Sequence, residues 1–181
     1  NWLNWLKGAS IAPGMILDND AVALGQRFAS GEVAYLVDAP WVWPELEEAF
    51  GERADVVGVA NLPSGPQGPA GPVLSVEGVF LGANVDDDKA KKALAFADYL
   101  TGIQGQQMLI SQGFHIPASR AVDVSDDPII AGFMRQGMTA IPLPSTIDSR
   151  AVWSTGAEAY VGVLRDGLSG EEAADLYNLQ I

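Results

Sequence analysis

Glycine and proline cut the chain into short runs whose apolar spacing switches repeatedly between a helical period and a strand period, and this alternation constrains the fold most. "NWLNWLKG" places Trp2, Leu3, Trp5 and Leu6 at helical spacing before Gly8. Asn19-Asp20 then caps an Ala-rich helix running to Ser30-Gly31. "EVAYLVD" (32–38) alternates with β-branched and aromatic residues and stops at Pro40, the pattern of a strand. "PELEEAF" (44–50) starts a short helix with proline and acids and ends it at Gly51. "ADVVGVANLP" (54–63) and "VLSVEGVFLGAN" (73–84) predict two more strands, separated by the polyproline-like loop "GPQGPAGP".

Asp86 to Asp88 then cap a helix whose Ala90, Ala93, Leu94, Ala97 and Leu100 share a face. A second helix spans Gln104–Gln112, "FHIPASRAV" is extended, "DDPIIAGFMRQG" is helical, and "IPLPS" is loop. The chain ends with a helix from about Asp148 to Arg165 and another opened by Ser169-Gly170-Glu171-Glu172, a capping box. Helices alternating with strands predict an α/β fold with helices covering a sheet, and three strands are few for a complete doubly wound domain. The opening reads as the middle of a helix, so a piece of a longer protein is expected.

Charge narrows the partners. Acidic residues number 23 against 10 basic ones, a net charge of −13 that repels phosphate backbones and anionic lipid, so nucleic acid is not an expected partner. The chain has no cysteine and one histidine, His115, which rules out disulfides, thiolate catalysis and His/Cys metal clusters. Ser75 and Ser111 lack a nucleophile-elbow context, and prolines replace the amides that a phosphate-binding loop needs. No cofactor is implied.

Glu77 is the informative acid, because it interrupts an otherwise apolar run. Its carboxylate must be solvated by a cleft, by a partner or simply by water at a sheet edge, and the sequence leaves these open. Hydrolysis of a glycoside would need a second carboxylate at a defined separation. The five tryptophans are more telling. Trp41 and Trp43 lie two places apart on the stiff turn "APWVWP", and Trp153 sits near loop signals. Taken singly each fits a core, yet exposed aromatic faces flanked by acids and amides also suit the C–H faces of sugar rings. At most one of the Trp41/Trp43 pair need be buried.

"FASGEVAYLVDAPWVWPEL" and the stretch from "VVGVANLP" to "FHIPASRAV" together resemble the extracellular solute-binding proteins of ABC transporters, of the maltose-binding-protein type. Shared features are F-x-x-G-x-x-A before a segment ending in Pro-Trp, a polar-Pro loop, a Lys/Ala helix ending in Tyr-Leu, a Gly-x-x-P turn and a late Trp-containing helix. The resemblance implies part of a two-lobe type II periplasmic-binding-protein fold, with helices covering a mixed sheet. Residues 1–75 and 115–181 then belong to the C-terminal lobe, and residues 76–114 cross into the N-terminal lobe. It also implies the C-terminal half of such a receptor, with the N-terminal half of the same protein as a partner and apolar surface exposed where that half would pack.

The implied function is capture of a sugar or oligosaccharide and its delivery to the transmembrane permease subunits. The implied location is extracellular or periplasmic, with any lipid anchor lying upstream. Trp41 and Trp153 correspond to stacking tryptophans, and Glu77, Asp38 and Arg150 are candidate polar contacts. Trp43 is expected to support Trp41 by packing. Two other readings stay open: a carbohydrate hydrolase using Glu77, and a receptor for a non-sugar solute such as a polyol.

Overall fold

A computed structural model describes residues 2–65, 68–113, 115–142 and 149–180. Two units emerge from its internal contacts, residues 1–24 with 143–181 and residues 25–142. The first is built from α1 (Trp2–Ser10), α7 (Ser149–Leu164) and α8 (Gly170–Gln180). Ala159, Val163 and Ala173 form its buried core, with Leu3 and Leu168 packed against them. Small residues on α7 and α8 let the helices approach closely, and α1 closes the cluster.

Polar bonds fix the ends of these helices. Lys7, in the last turn of α1, donates from Nζ to the carbonyls of Gly167 and Leu168, both at 3.0 Å. The Gly170 N–H donates to Asn4 Oδ1 at 2.7 Å. The expected capping box forms: Glu172 Oε2 accepts from the Ser169 N–H at 2.8 Å, and Ser169 Oγ accepts from the Glu172 N–H at 3.1 Å. The expected start of α7 at Asp148 lies outside the described residues.

The second unit is organised around α3 (Trp43–Phe50), with 3-10 turns before it (Pro40–Val42) and after it (Gly51–Val56). Trp43, Leu46 and Ile129 form its buried centre, and Phe28, Leu36, Phe50, Val57, Val59 and Phe133 pack around it. Phe28 comes from α2 (Ala21–Ala29) and Phe133 from α6 (Pro128–Gly137). Asp127 caps α6 by accepting from the N–H groups of Ile129 and Ile130 at 3.0 and 2.9 Å, with Pro128 preset for the first turn.

α4 (Asp87–Thr101) and α5 (Ile103–Gly113) meet at a corner of one residue, Gly102. Asp86 caps α4 by accepting from the Lys89 N–H at 2.9 Å, as its sequence predicts. Of the expected inner face of α4, Ala90, Ala97 and Leu100 are half-buried, whereas Ala93 and Leu94 are exposed. Gln106 clamps the corner: its Nε2 donates to the Leu100 carbonyl at 3.0 Å and its Oε1 accepts from the Ala118 N–H at 2.8 Å. At Gly105 a Cβ would run into the backbone of Tyr99 and Leu100. Gly105→Ala should therefore destabilise this unit by about 1–3 kcal/mol, whereas Gly8→Ala, with open space around it, should stabilise α1 by up to about 1 kcal/mol. Thermal denaturation of the two variants checks both signs.

The α/β class holds, but its sheet is smaller than expected. Among the described residues it is one parallel pair, β1 (Val73–Leu74) on β2 (Ile141–Pro142), with Val73 opposite Ile141 and Leu74 opposite Pro142. Among the described residues the strands expected over 32–38 and 54–63 form no ladder, and of that over 73–84 only the first two residues pair. A strand needs a neighbour to take its N–H and C=O groups, and β-propensity alone supplies none. Val57 and Val59 keep the half-buried alternation of a strand without its hydrogen bonds. "IPLPS", expected as loop, instead opens with β2, because the Ile141 N–H reaches the Pro72 carbonyl at 2.8 Å. Its residues 143–145, with Pro66 and Gln67 of the proline-rich loop and Phe114 of "FHIPASRAV", lie outside the described residues.

Acid should weaken the helix ends. Hydrogen bonds from Ser169, with a smaller contribution from the Lys7 charge, hold the Glu172 carboxyl below its usual range, and hydrogen bonds from Lys89 do the same for Asp86. A lowered folded-state value means stability that is full above the ordinary carboxylate pKa and is lost as pH falls through the lowered one. Glu172→Gln should flatten the acid side of the stability curve below about pH 4.5, measured by denaturant titration across pH.

Candidate functional site

The turn holding the two tryptophans separates them. Pro40 fixes its own φ, Asp38 Oδ1 accepts from the Ala39 N–H at 2.8 Å, and the chain tightens into the 3-10 turn Pro40–Val42 before α3 begins at Trp43. In a helical turn, residues two apart point to nearly opposite sides, whereas in a strand they share one. Trp43 accordingly turns inward and is 7% exposed, beside Leu46 and Ile129, while Trp41 turns outward and is 67% exposed. Trp43 is thus a core residue of this unit. Trp41 offers a broad apolar face held on a stiff backbone, and Asp38 lies exposed just ahead of it.

Glu77 follows β1 in the same unit. The whole run from Val73 to Lys89 is exposed, including Val76, Val79, Phe80 and Leu81. The Glu77 side chain is 85% exposed, with its Oε2 3.8 Å from Nδ1 of the half-exposed His115, a pair charged on both sides only when the imidazole is protonated. His115 was not among the expected site residues. Nothing in the sequence links it to Glu77, because α4 and α5 lie between the two along the chain.

The other expected residues belong to the first unit. Arg150 and Trp153 stand three residues apart near the start of α7 and so occupy neighbouring positions on its surface. Trp153 is 58% exposed. The structure thus divides the expected set, with Trp41, Asp38 and Glu77 in one unit and Trp153 and Arg150 in the other.

Two shallow hollows lie in the second unit. One, of about 240 Å³, is lined by Gln107, Ile110, Asp123, Val124, Asp126 and Asp127, and the other, of about 280 Å³, by Asp98, Tyr99, Gly102, Ile103 and Gln104. No expected site residue lines either. Asp123 is held below its usual carboxyl range by hydrogen bonds from Ser125, which marks a tight turn. Among the described residues no three His, Cys, Asp or Glu side chains are grouped to hold a metal ion, and no helix is long and apolar enough to cross a membrane.

What these surfaces can do chemically is stack and hydrogen-bond: exposed aromatic faces accompany carboxylates and an imidazole. The family described as bacterial extracellular solute-binding protein matches residues 1–132. A crystal structure of the maltose-maltodextrin binding protein of the thermoacidophilic bacterium Alicyclobacillus acidocaldarius matches with a TM-score of 0.75 at 20% identity, covering 98% of this chain and 49% of that one. The shared fold is the type II periplasmic-binding architecture, and the chain spans about half the length of that structure. No curated protein matches the chain.

Proposed function

The chain belongs to the bacterial extracellular solute-binding proteins, and from that membership we propose that it serves as part of the receptor of an ABC importer, capturing a sugar or oligosaccharide outside the cytoplasmic membrane. The observation that carries the choice of ligand is Trp41, which is 67% exposed on the proline-led 3-10 turn that runs straight into the buried Trp43. An aromatic platform ordered before the ligand arrives loses little entropy on binding. That the matched crystal structure is of a maltose-maltodextrin binding protein supports the same ligand class.

In this reading Trp41 and Trp153 stack on sugar rings, while Asp38, Glu77 and Arg150 take hydroxyl groups. Residues 1–75 and 115–181 belong to one lobe of a two-lobe receptor, and residues 76–114 cross into the other. The exposed run after β1 supports the crossing, because its apolar side chains suit a neighbour contributed by the rest of the receptor. Capture proceeds by hinge closure on the ligand, which is then presented to the permease subunits, with no bond made or broken.

The test is a fluorescence titration of the full-length protein with malto-, xylo- and cello-oligosaccharides, followed by chromatography of the ligand. Saturable change in tryptophan emission with the saccharide recovered intact is expected. Conversion of the saccharide that stops in Glu77→Gln would replace the receptor with a hydrolase.

A further inference from the structure

The turn after α7 holds an aspartate followed by a glycine, Asp166 and Gly167, and no other Asp or Asn in the chain is followed by glycine. Both residues are exposed. Gly167 sits at φ +79°, a left-handed conformation that L side chains rarely adopt, so the turn itself requires the residue with no side chain to shield its nitrogen. The neighbouring N–H groups are taken: Arg165 and Asp166 donate to the Val161 carbonyl at 2.8 and 3.3 Å, and Leu168 donates to that of Gly162 at 2.9 Å. Among the described residues no acceptor takes the Gly167 N–H. Nor does any hydrogen bond or ion pair among them engage the Asp166 carboxyl, whereas those of Asp86, Asp123 and Asp127 accept backbone N–H groups.

A free amide next to a free carboxyl, with no side chain crowding either, suits ring closure between them. The Gly167 nitrogen bonds to Asp166 Cγ, and its proton leaves with a carboxyl hydroxyl as one water, giving a five-membered succinimide. Water then returns to one of the two ring carbonyls. Opening the ring at Cγ restores aspartate, whereas opening it at the main-chain carbon routes the chain through Cβ and Cγ, an isoaspartate with a free α-carboxylate. One water leaves and one returns, so the net change is an isomerisation with no redox step. We propose that Asp166–Gly167 is a site of spontaneous isoaspartate formation in the folded protein, and that conversion there slackens the hold on α1. The extra backbone methylene displaces the carbonyls of Gly167 and Leu168, both of which accept from Lys7 Nζ at 3.0 Å. This modification does not depend on which solute the protein binds.

The test is incubation of the full-length protein at neutral pH and physiological temperature for several weeks, followed by proteolysis, peptide separation and enzymatic methylation of isoaspartyl carboxylates. The peptide containing position 166 should be the main methyl acceptor, eluting apart from its unconverted form at the same mass. Because the fold leaves both reacting groups free, its conversion rate should stay within about tenfold of that in a synthetic peptide of the same turn. Asp166→Glu keeps the charge but would have to close a six-membered ring, so the acceptor signal at that position should vanish. Hydrogen exchange in α1 of the purified isoaspartyl form should quicken roughly threefold or more, and Lys7→Met in fresh protein should reproduce the change. Conversion confined to the synthetic peptide, or a signal that persists in Asp166→Glu, would overturn the site. Unchanged exchange in α1 of the isoaspartyl form would overturn its effect on that helix.

Discussion

Trp43→Ala should cost the second unit about 3–5 kcal/mol and lower its melting temperature by roughly 10–20 °C, monitored by calorimetry or near-ultraviolet circular dichroism. The indole is the largest side chain at the centre of that unit's core, shared with Leu46 and Ile129, and residues from α2, α6 and the 3-10 turn Gly51–Val56 also pack there. Removing it opens a cavity that several elements border, and closure would require all of them to move together. Trp43→Phe keeps a ring of smaller volume and should cost less than half as much. Ligand affinity should fall in Trp43→Ala as well, because the turn that aims Trp41 loses its anchor. The two losses should move together through the whole series of substitutions at this position.

Trp41→Ala should do the reverse, leaving stability within about 0.5 kcal/mol of wild type while weakening ligand binding roughly 30-fold or more. The side chain is 67% exposed, so its removal leaves little cavity. Its proposed contribution is made only with ligand present, where a rigid aromatic face removes apolar surface of the sugar from water. Trp41→Tyr retains a narrower face and should recover most of the lost affinity. Substitution at position 43 would then act on folding and through it on binding, whereas substitution at position 41 would act on binding alone. A Trp41→Ala protein that melts far below wild type would instead make Trp41 a second core residue.

How far the fold could be read from the chain depends on where each element finds its hydrogen-bond partners. Helices were legible because each satisfies its own backbone and marks its own ends: Asp86 before α4, Asp127-Pro128 before α6 and the Ser169–Glu172 box before α8. Strand patterns are just as plain in "EVAYLVD" and "VLSVEGVFLGAN", but a ladder requires a second segment placed alongside. The ladder among the described residues joins Val73 to Ile141, residues far apart in sequence, and it uses a segment whose prolines read as loop. Local pattern shows that a segment can be a strand. It does not show which segment completes it.

The same distinction divides the candidate site. That one of Trp41 and Trp43 faces outward followed from their spacing on a proline turn, but which one depended on the chain tightening into a 3-10 turn instead of continuing as a strand. Glu77 stood out because a charge interrupts an apolar run. The approach of His115 to Glu77 joins residues that α4 and α5 separate along the chain, so it emerges only in three dimensions.

The most direct test of the central claim is a paired calorimetric titration of the full-length protein and its Trp41→Ala variant with a series of malto-, xylo- and cello-oligosaccharides. A solute receptor that stacks sugar on Trp41 predicts saturable one-site binding to one of these classes, with a negative heat-capacity change from buried apolar surface, and a variant that stays folded but binds at least 30-fold more weakly. Equal affinities in wild type and variant, or no heat from a folded wild type with any saccharide in the series, would contradict it.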